Sequence, residues 1–448
     1  MSNTTAPSGG EHVSTNQARI AELARRHAGK GLDNIHPFMD LDWLQEAYQR
    51  TRKDGAPGID GVTWEAYGGN LDANLRSLLH RAKSGSYQAP PVRRVHIPKG
   101  TGGETRPIGI PTLEDRVLQR AVLMLLEPIL EQEFLSCSYG FRPGRSAHQA
   151  LERIWQGTSN DGMTWIVDVD ISKFFDTLVH ERLREMVHQR VRDGVVMRLI
   201  GKWLNAGVME AGHRQAVEKG TPQGGVISPL LANLYLHDVL DVWMKQIVPP
   251  YLRGKVFLVR YADDLVIGCE LRQDAEMLMR VLPKRLGKYG LTMHPEKTRL
   301  VAFGPPVSRD GKDRDGNSPE SFAFLGFTHY WGLSSGGRWV VKRKTASNRL
   351  TRAITGISAW CRSNRHRPLR EQHKDLCAKV NGHYAYYGIT GNSRCIANFV
   401  HEVKRRWRFW LDRRGGKVRL TWDRFVKILN YLPLPPPRIV HSIYAAKP

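Results

Sequence analysis

Two adjacent carboxylates interrupt an apolar stretch of the chain. In VFLVRYADDLVIGCE, residues 256–270, Asp263 and Asp264 stand between two runs with the composition of strands. A tight hairpin usually carries Asn-Gly or Asp-Gly at its tip, whereas here Ala262 precedes the pair and Leu265 follows it. Two carboxylates held together repel each other, and a shifted pKa or a bound cation relieves the repulsion. If a cation is present, we expect a third oxygen ligand from elsewhere in the chain.

A candidate for that third ligand ends another predicted strand. In WIVDVDISKFFD, residues 165–176, Asp168 and Asp170 share one face because strand side chains alternate. Taken singly, Asp168, Asp170 or Asp176 would be a strand-end or helix-cap residue. Three carboxylates on neighbouring strands would instead bind divalent cations, and Mg2+ prefers one or two carboxylates together with substrate phosphates. Such a site suits in-line nucleotidyl transfer by two metal ions.

The net charge of the chain predicts a polyanionic partner. Its 448 residues include 67 Lys and Arg against 43 Asp and Glu, a formal charge of +24. Either nucleic acid or an anionic membrane surface would match such an excess. The most apolar run, AVLMLLEPIL at residues 121–130, is short and contains Glu127 and Pro128. It is too short and too polar to span a bilayer, so the sequence favours nucleic acid and no membrane partner.

The cysteines and the N-terminus indicate a cytoplasmic protein. The five cysteines are odd in number and include no CxxC pair, which favours reduced thiols over zinc ligands or disulfides. The first residues contain no basic segment followed by an apolar core, so they are not a secretory signal. We predict a disordered leader over residues 1–35.

Hydrophobic periodicity predicts a mixed α/β chain with a helical C-terminal part. Two strands, RLVAFG and SFAFLGFTHYW, precede a segment at 338–424 that holds 22 Lys or Arg against 5 Asp or Glu. Aromatic residues are interleaved with these charges, as in surfaces that follow phosphates and stack on bases; a solvated helix face is the simpler alternative. The predicted helices cover residues 113–134, 147–156, 178–191, 195–206, 226–247, 272–289, 345–362, 370–387 and 394–413.

The order of the motifs resembles the reverse-transcriptase blocks of group II intron-encoded proteins, over roughly residues 40–425. The last basic segment, with GHYAYYGITGN at 382–392, is similar to their maturase or thumb domain. One continuous order of motifs is more specific than any single motif. The motifs are RPIGIP (106–111), SYGFRPGRS (138–146), DVDISKFFD (168–176), GTPQGGVISPLLANLYL (220–236), RYADD (260–264), HPEKT (294–298) and FLGF (324–327).

The resemblance implies a right-hand polymerase fold of the α/β (α+β) class. Fingers and palm would occupy residues 36–335, with an antiparallel sheet that carries the YADD hairpin. A basic, mainly helical thumb or maturase domain would follow at 336–424, and a short tail at 425–448. The family's HNH-like endonuclease region has no counterpart in the sequence, so we expect no second-strand cleavage.

The resemblance also implies the catalytic residues. The metal-binding triad would be Asp170, Asp263 and Asp264, with the backbone carbonyl of Ile171 helping to hold one of two Mg2+ ions, or Mn2+ in their place. Lys297 in HPEKT would protonate the leaving pyrophosphate; a lysine that is merely exposed is the alternative.

Four further positions match residues that bind the incoming nucleotide. Phe175 would stack under the deoxyribose and exclude a 2′-hydroxyl; a core phenylalanine is the alternative. Gln223 would contact the dNTP, and Lys99 and Arg106 would hold its triphosphate. The positions predicted to bind nucleic acid are Arg142, Lys344, Arg349, Arg405, Arg406 and Arg408.

The leading functional hypothesis is an RNA-directed DNA polymerase of a mobile group II intron. Its partners would be the intron RNA template, a DNA primer or target and dNTPs, with no obligatory protein partner, and it would also assist splicing. Two alternatives stay open: an RNA-binding splicing cofactor without synthesis, and a domesticated or defence- or CRISPR-associated reverse transcriptase.

Overall fold

The computed structural model describes residues 9–98, 105–210, 213–215, 220, 224–307, 310–311, 318–415 and 419–442. The chain divides into two compact units, one of residues 1–150 and 167–300 and the other of residues 151–166 and 301–448. Residue 336, the predicted boundary, lies within the second unit, in which the strands at residues 322–345 group with the C-terminal helices.

The first unit contains many helices. Several begin with a side-chain cap on a free backbone N–H: Asp40 caps α2, Thr112 caps α5 and Asp193 caps α9. Its helices are α1 Gly9–Arg26, α2 Leu41–Gln49, α3 Trp64–Gly68, α4 Leu71–Ser84, α5 Leu113–Leu130, α6 Ala147–Ser159 (which extends into the second unit), α7 Phe174–Thr177, α8 His180–His188, α9 Gly194–Leu204, α10 Ser228–Leu236, α11 Val242–Gln246 and α12 Arg272–Gly287.

The prediction of a disordered leader is wrong from residue 9 onward. Residues 9–26 form α1, in which Val13 and Ile20 are fully buried. They are seven residues apart and lie on one face of the helix. Gln17 adds a hydrogen bond from its Nε2 to the carbonyl of Met124 in α5, at 3.2 Å. The polar composition hid this short apolar stripe.

Two four-stranded sheets are described. One has the order β2-β1-β4-β5, formed by Val92–Pro98 (β1), Thr105–Ile110 (β2), Val208–Glu210 (β4) and His213–Gln215 (β5). The other has the order β6-β7-β3-β8, formed by Trp165–Val169 (β3), Val256–Tyr261 (β6), Asp264–Cys269 (β7) and Arg299–Ala302 (β8). Strands β6 and β7 are antiparallel, so the predicted hairpin is present.

In the described part of the second unit, a three-stranded sheet is followed by four helices, in addition to the end of α6. The sheet has the order β11-β10-β9, from Phe322–Phe324 (β9), Phe327–Leu333 (β10) and Trp339–Thr345 (β11). The predicted strand SFAFLGFTHYW is thus two strands, because Leu325 and Gly326 have φ of +48° and +80° and turn the chain. The helices are α13 Ser347–Asn364, α14 Leu369–Tyr387, α15 Ser393–Leu411 and α16 Trp422–Tyr431.

The predicted tail contributes to the helical core. Phe425 of α16 is fully buried and contacts Trp407 edge to face, with ring centroids 5.6 Å apart. Leu434 is also buried in this cluster. The residues from 425 to 434 therefore belong to the helical domain rather than to a separate tail.

Candidate active site

The carboxylate hairpin turns through two residues. Tyr261 pairs with Asp264, so Ala262 and Asp263 form the tip. Ala262 has a φ of +57°, the left-handed conformation that a two-residue hairpin needs and that Asn or Gly normally supplies. The turn is also closely covered, because a Cβ on Gly140 would lie 2.5 Å from the backbone nitrogen of Ala262. The hairpin is thus tight despite lacking the usual turn residues.

Arg260 fixes the tip from beneath. Its side chain is fully buried and forms a two-armed ion pair with Asp241, with Nε–Oδ1 and Nη2–Oδ2 distances of 2.8 and 2.6 Å. Its Nη1 donates to Asn233 Oδ1 at 2.8 Å and to the carbonyl of Ala262 at 3.1 Å. The sequence interpretation missed this residue. A charged side chain inside the apolar strand VFLVRY was the available signal.

Asp170 follows β3, and its backbone is hydrogen-bonded to the start of the HPEKT motif. The carbonyl of Asp170 accepts from the backbone N–H of His294 at 2.8 Å, and Ile171 forms an antiparallel bridge with Met293. Ile171 itself is buried. Strand β3 thus continues in a short pairing that directs Asp170 to the end of the sheet.

Asp170 directly follows β3 and Asp263 directly precedes β7, and these two strands are neighbours in one sheet. Burial raises the pKa of Asp263, and the charge on Asp170 raises it further, while the guanidinium of Arg106 opposes the shift. Lys297 lies beside the pair, with its Nζ 3.6 Å from Asp170 Oδ2. The interaction between two half-buried carboxylates fits the hard oxygen donors that a divalent cation requires.

The third predicted ligand is not placed as clearly. Asp264 is exposed at the start of β7. Among the residues that the structure describes, no three His, Cys, Asp or Glu side chains are grouped to hold a metal ion. The structure therefore supports a carboxylate pair, and the three-carboxylate ligand set stays a prediction.

Asp168 has a different environment from Asp170. Its Oδ2 lies 3.3 Å from Arg299 Nε on β8, and burial raises its pKa while Arg299 opposes the shift. The strand-end alternative weighed for these aspartates thus describes Asp168, which has Arg299 as its partner, whereas Asp170 lies beside Lys297 and its charge acts on Asp263.

Two consecutive phenylalanines have different environments. Phe174 is 2% exposed and belongs to the core, whereas Phe175 is half-buried. Their rings meet edge to face, with centroids 5.4 Å apart. The backbone turns at Lys173, which has a φ of +47°. Because Phe174 fills the core position, the ring of Phe175 keeps an accessible surface.

Gly220 and Gly224, on either side of residues 221–223, are both in close contact with backbone from other segments. Gly220, with a φ of +91°, lies against α7, where an added Cβ would come 2.6 Å from the carbonyl of Phe175. Gly224, with a φ of +117°, lies against β2, where a Cβ would come 2.4 Å from the carbonyl of Gly109. Only glycine fits such positions. The predicted nucleotide contacts Gln223 and Lys99 lie outside the described residues, and Arg106 is exposed on β2.

A sequence profile of reverse transcriptases (RNA-dependent DNA polymerases) matches residues 97–329, more than half of the 448-residue chain. The chain belongs to the reverse transcriptase family. The mixed sheets and the helical C-terminal part are consistent with the right-hand polymerase fold, so the predicted family and fold class are confirmed. Members of this family generally use divalent metal ions and bind an RNA template.

Relatives of this reverse transcriptase include proteins of group II introns. Over 220 aligned residues it is 42% identical to protein YkfC of Escherichia coli. The aligned region makes up 48% of this chain and 56% of YkfC. Over 233 residues it is 37% identical to the group II intron-encoded protein LtrA of Lactococcus lactis subsp. cremoris, a region that makes up 51% of this chain and 38% of LtrA. Over 180 residues it is 30% identical to the mitochondrial nuclear intron maturase 2 of Arabidopsis thaliana, a region that makes up 31% of this chain and 24% of that maturase. The chain thus spans less than two thirds of these relatives.

One predicted nucleic-acid contact of this reverse transcriptase is engaged internally. The Arg142 side chain is 4% exposed and pairs with Glu131 at 2.8 Å. It also donates to the carbonyls of Leu135 and Ser138, at 2.7 and 2.9 Å. With its donors used in this way, Arg142 stabilises the SYGFRPGRS segment, and its geometry does not support the predicted contact with nucleic acid.

The other predicted contacts lie in the second unit and differ in accessibility. Lys344 and Arg349 are exposed. Arg405 and Arg406 both pair with Glu402, at 2.6 and 3.5 Å. Arg408 donates to the carbonyl of Leu420 at 2.8 Å and lies 4.5 Å over the Trp422 ring. Arg408 therefore anchors the start of α16, and Lys344 and Arg349 are the cations better placed to contact nucleic acid.

No described helix is long and apolar enough to cross a membrane.

Proposed function

We propose that this chain is an RNA-directed DNA polymerase of the group II intron type, which copies an RNA template by adding dNTPs to a DNA primer. The observation that carries the proposal is the placement of Asp170 directly after β3 and of Asp263 directly before β7, two neighbouring strands of one sheet within the region that matches the family. A protein that only binds RNA has no need to hold two repelling carboxylates together. Intron RNA as the template, and action on DNA in a bacterial-type cytoplasm, belong to the same proposal.

Asp170 and Asp263 would hold the divalent ions, with Asp264 as the further ligand. Bound Mg2+ supplies charge neutralisation and activation of the attacking 3′-hydroxyl. Arg106 would bind the triphosphate, and Phe175 would exclude a ribonucleotide by occupying the space of its 2′-hydroxyl. Lys297, held beside Asp170, is positioned to give a proton to pyrophosphate.

Extension of a DNA primer on an RNA template tests the proposal. We expect the wild-type protein to extend the primer in the presence of Mg2+ and dNTPs, and Asp263→Ala to lose about a thousandfold in rate. Asp72→Ala is the matched control, because Asp72 is an exposed residue paired with Arg76 on α4. No extension by the wild-type protein on templates that a control enzyme copies would overturn the proposal.

Assistance of intron splicing is a second candidate function. The excess of 22 Lys or Arg over 5 Asp or Glu in residues 338–424 and the intron maturase among the relatives favour it. Splicing needs RNA binding and not synthesis, so Asp263→Ala should promote splicing of a group II intron transcript at low Mg2+ as well as the wild-type protein does. Absence of any effect of the wild-type protein on splicing would remove this function.

A further inference from the structure

A buried carboxylate in α5 organises three neighbouring side chains. Asp115 is 1% exposed. Its Oδ1 accepts from the Tyr87 hydroxyl at 2.8 Å and from Trp203 Nε1 at 2.6 Å, and its Oδ2 accepts from Gln119 Nε2 at 3.0 Å. Both oxygens are thus occupied by donors from other side chains.

Asp115 decides which way the Gln119 amide points. A carboxylate only accepts hydrogen bonds, so the amide nitrogen of Gln119 must face Asp115 and its oxygen must face away. That oxygen accepts from the backbone N–H of Val226 at 2.8 Å and lies 3.4 Å from the N–H of Ile227. Gln119 is itself 4% exposed. Its two amide ends therefore connect Asp115 to the backbone that follows the TPQGG loop.

This contact lies directly before a helix. Helix α10 begins at Ser228, and its N-cap residue Ile227 has no side-chain cap. Gln119 of α5 therefore holds the backbone of the two residues that lead into α10. The same contact lies two residues after Gly224, where the chain is already pressed against Gly109. The end of the loop is thus fixed by a hydrogen bond and a close backbone contact.

We propose that Gln119 is a positioning residue for nucleotide binding: it fixes the end of the TPQGG loop, and Asp115 fixes the orientation of the Gln119 amide. The inference rests on the proposed function, in which this loop contacts the incoming dNTP. Neither residue needs to touch the nucleotide. A change at Asp115 should therefore reach the loop only by reversing the Gln119 amide.

Isosteric variants test this relay. In Asp115→Asn, the new amide nitrogen faces Gln119 Nε2, so the glutamine must turn and direct its own donor at the Val226 N–H. In Gln119→Glu, two carboxylates face each other. In the double variant Asp115→Asn/Gln119→Glu, the introduced asparagine donates to the introduced glutamate, whose second oxygen still accepts from Val226. Both single variants should be impaired, and the double variant should recover.

Two measurements separate the relay from polymerase activity. Each single variant should raise the KM for dNTP about tenfold, the equivalent of ~1.4 kcal/mol, with a smaller change in kcat and unchanged affinity for the primer–template. Amide hydrogen exchange at Val226 and Ile227 should be faster in each single variant and return to the wild-type rate in the double variant. The exchange measurement needs no catalysis, so it decides the loop contact even if the wild-type protein fails to extend a primer.

Thr51→Val controls for a general loss of stability. Thr51 is 3% exposed and donates to the carbonyl of Ala47 at 2.8 Å, so its replacement removes one buried hydrogen bond that does not lead to the loop. It should leave the KM for dNTP and the exchange at Val226 unchanged. Wild-type exchange rates at Val226 and Ile227 in both single variants, or a double variant no better than the worse single one, would overturn the proposal.

Discussion

Arg260 and Asp241 form a fully buried ion pair directly beneath the turn that presents Asp263. Removing one member of such a pair leaves an uncompensated charge in the interior, whereas replacing both by apolar residues is often neutral for stability. Arg260 also donates to the carbonyl of Ala262. The Arg260 side chain therefore contributes to stability through Asp241 and to the shape of the turn through Ala262. Mutations can separate these two contributions.

We predict that Arg260→Met lowers the free energy of unfolding by about 3–5 kcal/mol. Arg260→Met/Asp241→Leu should recover most of this loss in urea denaturation, because no unpaired charge remains. Primer extension should stay impaired in the double variant, because the Ala262 carbonyl has lost its donor. Full activity in the double variant would show that the contact with Ala262 does not position Asp263.

Asp170 and Asp168 provide a matched pair two residues apart. Asp170→Asn should reduce the rate of primer extension about a thousandfold, because a carboxylate charge beside Asp263 is lost. Asp168→Asn removes the ion pair with Arg299 and a repulsion with Asp170, and should keep the rate within about threefold of wild type. Similar losses in both variants would assign the pair Asp168–Arg299 to the active site as well.

The two adjacent phenylalanines should separate selectivity from stability. Phe175→Val should increase incorporation of rNTP relative to dNTP with little change in Tm, because the half-buried ring is the one that would meet a 2′-hydroxyl. Phe174→Ala should instead cost about 3–5 kcal/mol of stability, since Phe174 is 2% exposed. An unchanged ratio of rNTP to dNTP incorporation in Phe175→Val would remove Phe175 as the selecting residue.

Binding of an RNA–DNA duplex should weaken steeply with salt, because phosphate contacts release counterions. Lys344→Ala and Arg349→Ala should each reduce the slope of log K against log salt by about one. Arg142→Met is the contrasting variant: it should lower stability, because Glu131 loses its buried partner, and leave the slope unchanged. A flat salt dependence of the wild-type protein would contradict a nucleic-acid role for the basic segment.

His329 should make the protein sensitive to mild acid. Burial lowers its pKa to about 3, and the Arg343 charge acts in the same direction. The ring stacks on Phe322 at 4.7 Å, and neither ring nitrogen has a hydrogen-bond partner among the described residues. Because the unfolded chain takes up a proton near pH 6.5 and the folded one does not, the stabilising contribution of His329 is present above that pH and is lost as the pH falls.

His329→Phe should keep the stack and remove both unsatisfied nitrogens. We expect its stability relative to wild type to increase by about 1.4 kcal/mol when the pH is lowered from 7.5 to 5.5. Denaturation curves of the two proteins at both pH values measure the difference, in which the contributions of the other histidines cancel. An advantage that does not change with pH would mean that His329 takes up its proton in the folded protein at the same pH as in the unfolded chain.

Much of the candidate site could be predicted because its chemistry lies in short motifs. The alternation in VDVDI places Asp170 at a strand end, and the apolar runs on both sides of the two aspartates predict the hairpin. The turn geometry could not be predicted, because Ala262 is a poor residue for a positive φ and adopts one only where Gly140 and Arg260 surround it.

The sequence by itself determined the family and the hairpin and indicated the candidate metal-binding carboxylates, because these depend on short motifs and on the order of those motifs along the chain. Only the tertiary structure decided which charged side chains are exposed to solvent and which are paired inside the protein. Arg142 is buried, α1 is ordered and Gln119 is joined to a backbone 107 residues away. Burial and partner choice depend on contacts between distant segments, and local periodicity carries no information about them.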